Sequence, residues 1–186
     1  MFDLNNASDK ITTEYQKPGI ATVTFTEVKL DKTGKNSVPF IKLLTKADDG
    51  AVGNSSQMFL STEVKAGKKM AAWNVTARTL VDILKSAHNC TDEEAKAMIA
   101  VETQDQLINK LSALLVGKKV RAKFKGETSQ KGNVFAVLSQ TESLHVTEPE
   151  SKLRFNKDFD VKPFQGVPQN NDQPVEASAP TSDLPF

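Results

Sequence analysis

The chain has 186 residues and 20.3 kDa, 38% of them hydrophobic and 25% charged, with a mean hydropathy of −0.39. That suits one globular domain with appendages, and it excludes a wholly disordered chain or a membrane-length apolar run. The net charge of +1 hides an asymmetry, because residues 165–186 hold Asp172, Glu176 and Asp183 without Lys or Arg, which puts that tail at −3 and the remainder at +4.

Met1-Phe2-Asp3-Leu4-Asn5-Asn6 carries neither a basic leader nor an apolar stretch, and the single cysteine, Cys90, has no partner for an internal disulfide. A cytoplasmic, reducing setting is therefore expected. Residues 1–18 form a polar arm. From Gly19 the run Ile20 to Leu30 alternates, with Ala21, Val23 and Phe25 on one face and Thr22, Thr24 and Thr26 on the other, which predicts a half-buried strand. Asp31 to Ser37 supplies turn residues and a cationic tip with Lys32 and Lys35, and Val38 to Lys46 resumes as the second strand of a hairpin. Asp48-Asp49-Gly50 is the next turn, Gly53 to Gln57 has a loop composition, and Met58-Phe59-Leu60 is expected as a short third strand.

The period then changes. Leu80, Ile83, Leu84 and Ala87, and later Leu107, Ile108, Leu111, Leu114 and Leu115, fall at helical spacing. Thr91-Asp92-Glu93-Glu94 is a capping box, Thr103-Gln104-Asp105-Gln106 is a further helix start, and Gly117 ends the last helix. Strands over Lys118–Lys125 and Val134–Ser139 follow, joined by a Gly-bearing loop with Lys131 at its tip.

Three strands, a helical insert over 75–116 and two strands match a five-stranded, partly open OB-fold-like barrel over 19–146, with helices between its third and fourth strands. An α+β sheet with a helical layer would give a similar string. Residues 147–164 form a basic, aromatic extension. Residues 165–186 hold four of the eight prolines and almost no aliphatic residues, so disorder is expected there.

Among the candidate binding residues, Lys119, Arg121, Lys123 and Lys125 project from one face of a strand whose Val120, Ala122 and Phe124 face inward. Side chains at i and i+2 lie roughly 6.6 Å apart, a spacing that follows the phosphates of an extended single strand. The alternative is a solvated edge strand guarded by lysines. Phe40, Lys42 and Lys46 share one face of the second strand, where Phe40 is either a base-stacking platform with cationic flanks or a core ring. Trp73 is likewise a core anchor or a stacking residue at the rim, and Tyr15 fits a packed position better. Phe155, Phe159 and Phe164 either pin the extension to the barrel or lengthen the binding groove. No nucleophile elbow, phosphate loop or zinc spacing is present, and Cys90 reads as a small packed residue, so no enzyme activity, metal or cofactor is expected.

The chain closes on Asp183-Leu184-Pro185-Phe186 after a Pro/Gln/Asn tail. This ending, with an OB-like basic body before it, resembles the single-stranded DNA-binding proteins of bacteria and bacteriophages, whose tails finish in an acidic segment and Ile/Leu-Pro-Phe. The single acid of the tip and the long helical insert depart from the bacterial pattern and favour a phage member. The resemblance implies sequence-tolerant binding of single-stranded DNA in replication, recombination and repair. It also implies that Phe186, Pro185, Leu184 and Asp183 recruit partner proteins. A protein-interaction adaptor or virion component with an OB-like barrel is the alternative.

Overall fold

The alternating run after Gly19 does form a strand in the computed structural model, which describes residues 13–33, 38–129, 131–146 and 150–163. This strand, β1 (Gly19–Thr33), pairs antiparallel with β2 (Val38–Ala47), as the sequence predicts. A β-bulge between Phe25 and Glu27 shifts its register, so that Val28 and Leu30 take over the inward positions beyond it. The bulge also frees the Phe25 carbonyl to accept from Gly117 N at 2.8 Å, while Phe25 N donates to the Lys118 carbonyl at 3.0 Å.

The third strand of the ring is not where the sequence places it. Val52–Ser55, most of which falls in the Gly53–Gln57 stretch expected as a loop, is β3, whereas Met58–Phe59 is a separate two-residue strand, β4, laid against the far end of β2. Gly53 and the polar Asn54 and Ser55 hide β3 from pattern reading. Gly53 is there because it faces the interior, where a Cβ would stand 2.8 Å from both the Phe124 ring and Thr45 Oγ1. Ser55 spends its hydroxyl inside the sheet, accepting from Leu43 N at 3.0 Å and donating to the Ser56 carbonyl at 2.9 Å.

Three helices follow: α1 (Ala72–His88), α2 (Asp92–Met98) and α3 (Gln104–Leu115). Reciprocal capping boxes start α2 at Thr91 with Glu94 and α3 at Thr103 with Gln106. Gly117, at φ +83°, turns the chain out of α3. Then come β5 (Lys119–Thr128), β6 (Val134–Glu142), the single turn α4 (Lys157–Asp160) and β7 (Val161–Lys162).

Five strands close a ring in the order β1-β2-β3-β6-β5 and back to β1. Every seam is antiparallel except β3–β6, which is parallel and only two residue pairs long, Asn54 with Val137 and Ser55 with Leu138. The sheet is therefore a mixed near-barrel, extended by β4 and β7 to seven strands rather than the five expected. The ring is filled by Val23, Phe25, Ile41, Leu43, Val120, Ala122 and Phe124, each at most 1% exposed, and α1 and α3 add Leu80, Leu84, Leu107, Leu111 and Leu115. Full burial of each such Leu contributes roughly 1.5–3 kcal/mol. No helix among the described residues is long and apolar enough to cross a membrane.

Candidate nucleic-acid interface

Alternation along β5 runs as the sequence predicts, with Val120, Ala122 and Phe124 in the interior and Lys119, Arg121, Lys123 and Lys125 outside. The outer row is nevertheless not an open cationic track. Lys119 Nζ lies 2.7 Å from Asp48 Oδ1, Arg121 Nη1 lies 3.9 Å from Glu142 Oε2, and Lys123 Nζ lies 2.8 Å from Asp160 Oδ2. Lys125 Nζ is 4.0 Å from the other oxygen of Asp160. Lys123 is only 9% exposed. The acids come from positions 48, 142 and 160, so no local charge count around residues 118–131 could detect them.

The segment Ser151–Lys162 does the covering, as a strap across the outer face of β5. At one end the Glu142 carboxylate accepts from Ser151 Oγ at 2.6 Å and Lys152 N at 2.7 Å, and Leu153 is buried. At the other, Asp160 accepts from Lys123 and, at 2.9 Å, from Asn156 N. Val161 and Lys162 then pair parallel with Gly126 and Glu127, and Thr128 Oγ1 donates to the Lys162 carbonyl at 2.7 Å. The extension is thus held by polar anchors and Leu153. Of the aromatics that the sequence leaves either to pin it or to lengthen the groove, Phe155 is half-buried, Phe159 is 80% exposed and Phe164 lies outside the described residues.

Both anchoring carboxyls are held below their usual range. For Asp160 the causes are the Lys123 ammonium and the Asn156 amide. For Glu142 burial pushes upward, but the Ser151 hydroxyl, the Lys152 amide and the Arg121 and Arg154 guanidiniums outweigh it. A depressed folded-state pKa contributes stability that is present above the unfolded carboxylate range of about 4 and is lost as pH falls through the lower folded value. Protection factors for amide exchange across residues 151–162 should therefore be high at pH 7 and fall below about pH 4, ahead of those in β1 and α3. Protection factors that fall equally in both regions at acid pH would contradict this.

Of the stacking candidates, Phe40 takes its packed alternative. Phe40 is 4% exposed and packs against Phe59 with ring centroids 5.9 Å apart at 59°, so its face is closed to a base. It lies on the outer face of β2, but β4 brings Phe59 alongside it there. Trp73 is half-buried against the core, whereas Tyr15, expected to pack, is 69% exposed where Glu14–Gln16 runs along Val52. Cys90 is half-buried, with Sγ 3.9 Å from the Leu84 carbonyl. Lys42 is half-buried and Lys46 exposed on the outer face of β2. Register puts Thr24 between Lys46 and Lys119, so these two cations flank one β1 residue on the same face. Lys32 and Lys131 are exposed at opposite hairpin ends, and Lys35 lies outside the described residues, as do Asp183, Leu184, Pro185 and Phe186.

A cationic cleft whose lysines are not among the candidate binding residues of the sequence lies between the loop end of the β1–β2 hairpin, β4 and the N-terminal half of α1. It has a volume of about 690 Å³, an apolar wall of Val38, Phe59, Met70 and Val75, and Lys65, Lys68 and Lys69 at its edge with Glu63. Among the described residues none of these three lysines has a carboxylate within 4 Å. Gly67, at φ +75°, turns the loop that presents them. Met70 and Val75 are 45% and 55% exposed, an apolar surface beside these lysines. The signal in the sequence is three lysines within five residues around a glycine, between the last strand of the first half and the first helix. No group of three His, Cys, Asp or Glu side chains suited to a metal occurs among the described residues. A scan against protein-family models and a search of curated proteins find no match to this chain.

Proposed function

We propose that this chain is a non-enzymatic, sequence-tolerant single-stranded DNA-binding protein with an OB-fold body. It serves replication, recombination or repair in the cytoplasm, the host's if phage-encoded, and its Asp183-Leu184-Pro185-Phe186 tip recruits partner proteins. The ring order, its parallel β3–β6 closure and the helices ahead of β5 support the OB-fold assignment. The observation that carries the function is the Lys65–Lys69 cleft, where ammonium groups with no ion-pair partner among the described residues stand beside exposed apolar surface. Such a site meets phosphates with its cations and base faces with its apolar wall, with no need for base-edge contacts.

A labelled oligothymidylate in anisotropy titrations tests the reading. Binding should weaken linearly in log–log form as salt rises and should exceed binding to a duplex of equal length. Deleting Phe186 should leave that binding intact while removing capture of a replication partner, since ring and terminal carboxylate leave together. Salt-independent or absent binding would favour the adaptor reading, which the self-neutralised β5 face supports.

A further inference from the structure

Asp160 engages two lysines of β5 at once. Lys123 and Lys125 project from the same face of β5, roughly 6.6 Å apart along the strand. The single Asp160 carboxylate reaches both, with one oxygen 2.8 Å from Lys123 and the other 4.0 Å from Lys125. Asp160 is 6% exposed, so this is an enclosed contact rather than a rim pair. The group is delivered by one helical turn, with Asn156 N donating to the same carboxylate and Asp160 N donating to the Asn156 carbonyl at 2.7 Å. Its placement therefore depends on the strap and not on β5.

We infer that the outer face of β5 is a second phosphate-binding track, for the backbone of a nucleic acid, which the strap of residues 151–162 keeps occupied with Asp160. This rests on the proposed single-strand-binding function and adds a second site to it, separate from the Lys65–Lys69 cleft. The track requires Lys123 and Lys125, both directed to the face that the strap crosses. Three features fit a displaceable cover better than a permanent piece of core. Its contact with Lys123 and Lys125 is ionic and competes directly with another anion. Its parallel pairing with β5 is two residues long, and its most prominent aromatic, Phe159, contributes little burial. Lys125, 41% exposed at its side chain, already offers an approach to the closed site.

The test is Asp160→Asn in the full chain, titrated with oligothymidylate and, separately, with long-chain inorganic polyphosphate, which carries the phosphate repeat without bases. Glu93→Gln, on the exposed first turn of α2, makes the same change in net charge away from the strap. Asp160→Asn should tighten binding of both polyanions at low salt and steepen the log–log salt slope by about 1.4, two contacts at roughly 0.7 each. Glu93→Gln should leave the slope unchanged. Replacing Lys123 and Lys125 with Gln in the Asp160→Asn background should remove the gain, and hydrogen exchange should show the core amides of β1 and α3 still protected. An Asp160→Asn slope no steeper than that of Glu93→Gln, or a gain that survives loss of both lysines, overturns the second track. A wild-type protein that binds no oligothymidylate instead overturns the proposed function, while the polyphosphate arm still decides whether the track exists.

Discussion

Replacing Phe124 with Ala should cost about 3–5 kcal/mol of folding stability, the largest single-residue effect expected in this protein. The ring is 0% exposed and fills the near-barrel from β5, facing Gly53 of β3 across the interior. The complementary change, Gly53→Ala, puts a Cβ 2.8 Å from both the Phe124 ring and the fully buried Thr45 hydroxyl, and should cost about 1–3 kcal/mol through overpacking. The two residues share one space, so their effects should not add. Gly53→Ala combined with Phe124→Leu should be more stable than the sum of the single losses, because the smaller side chain leaves room for the new methyl. Urea unfolding followed by circular dichroism measures all four corners of the cycle. Additivity would mean that Gly53 is required for some reason other than the approach of Phe124. Since a domain of ordinary stability holds about 5–15 kcal/mol, Phe124→Ala alone removes a large part of the margin.

On the binding side, the largest effect should come from Lys65, Lys68 and Lys69 changed together to Gln. If each meets one phosphate, the log–log salt slope on oligothymidylate should fall by about 2. Affinities that converge near 1 M salt would then differ by about a hundredfold at 0.1 M. The fold should be unaffected, because these side chains lie on the loop before α1 and form no ion pair among the described residues. Gln in place of Lys123 and Lys125 in the otherwise native chain should flatten the slope less, since Asp160 already balances them. The reverse ranking would return the primary site to β5 and remove the cleft from the mechanism.

The contrast between cleft and strand shows what is legible in this sequence. Elements with local causes could be read directly: the alternation of Ala21, Val23 and Phe25, the capping boxes at Thr91 and Thr103, and the left-handed turn at Gly117. β3 could not, because Gly53, Asn54 and Ser55 outweigh the strand preference of Val52; pairing with β2 and β6 imposes the strand. The direction of each β5 side chain was legible from period two, but its electrostatic state was not, because Asp48, Glu142 and Asp160 reach it from three other parts of the chain. Phe40 failed for a related reason. The short strand at Met58–Phe59 was legible, but not its pairing with β2, which brings Phe59 over Phe40.

The closure of the ring also sets an order of events for the folding chain. β1 and β2 meet across a short hairpin, and α1, α2 and α3 form from neighbouring residues, so all of these contacts are inexpensive in loop entropy. The β1–β5 and β3–β6 seams join residues on opposite sides of the entire helical segment and must await a long-range encounter. Such non-local pairings slow folding, and helices that have already formed shorten the distance the chain must search. The two residue pairs between β3 and β6 give little back for that encounter, so ring closure depends on β5 bringing β6 with it as a preassembled hairpin. Half of the barrel is then waiting for the other, and the helical insert acts as the tether that makes their meeting intramolecular and frequent.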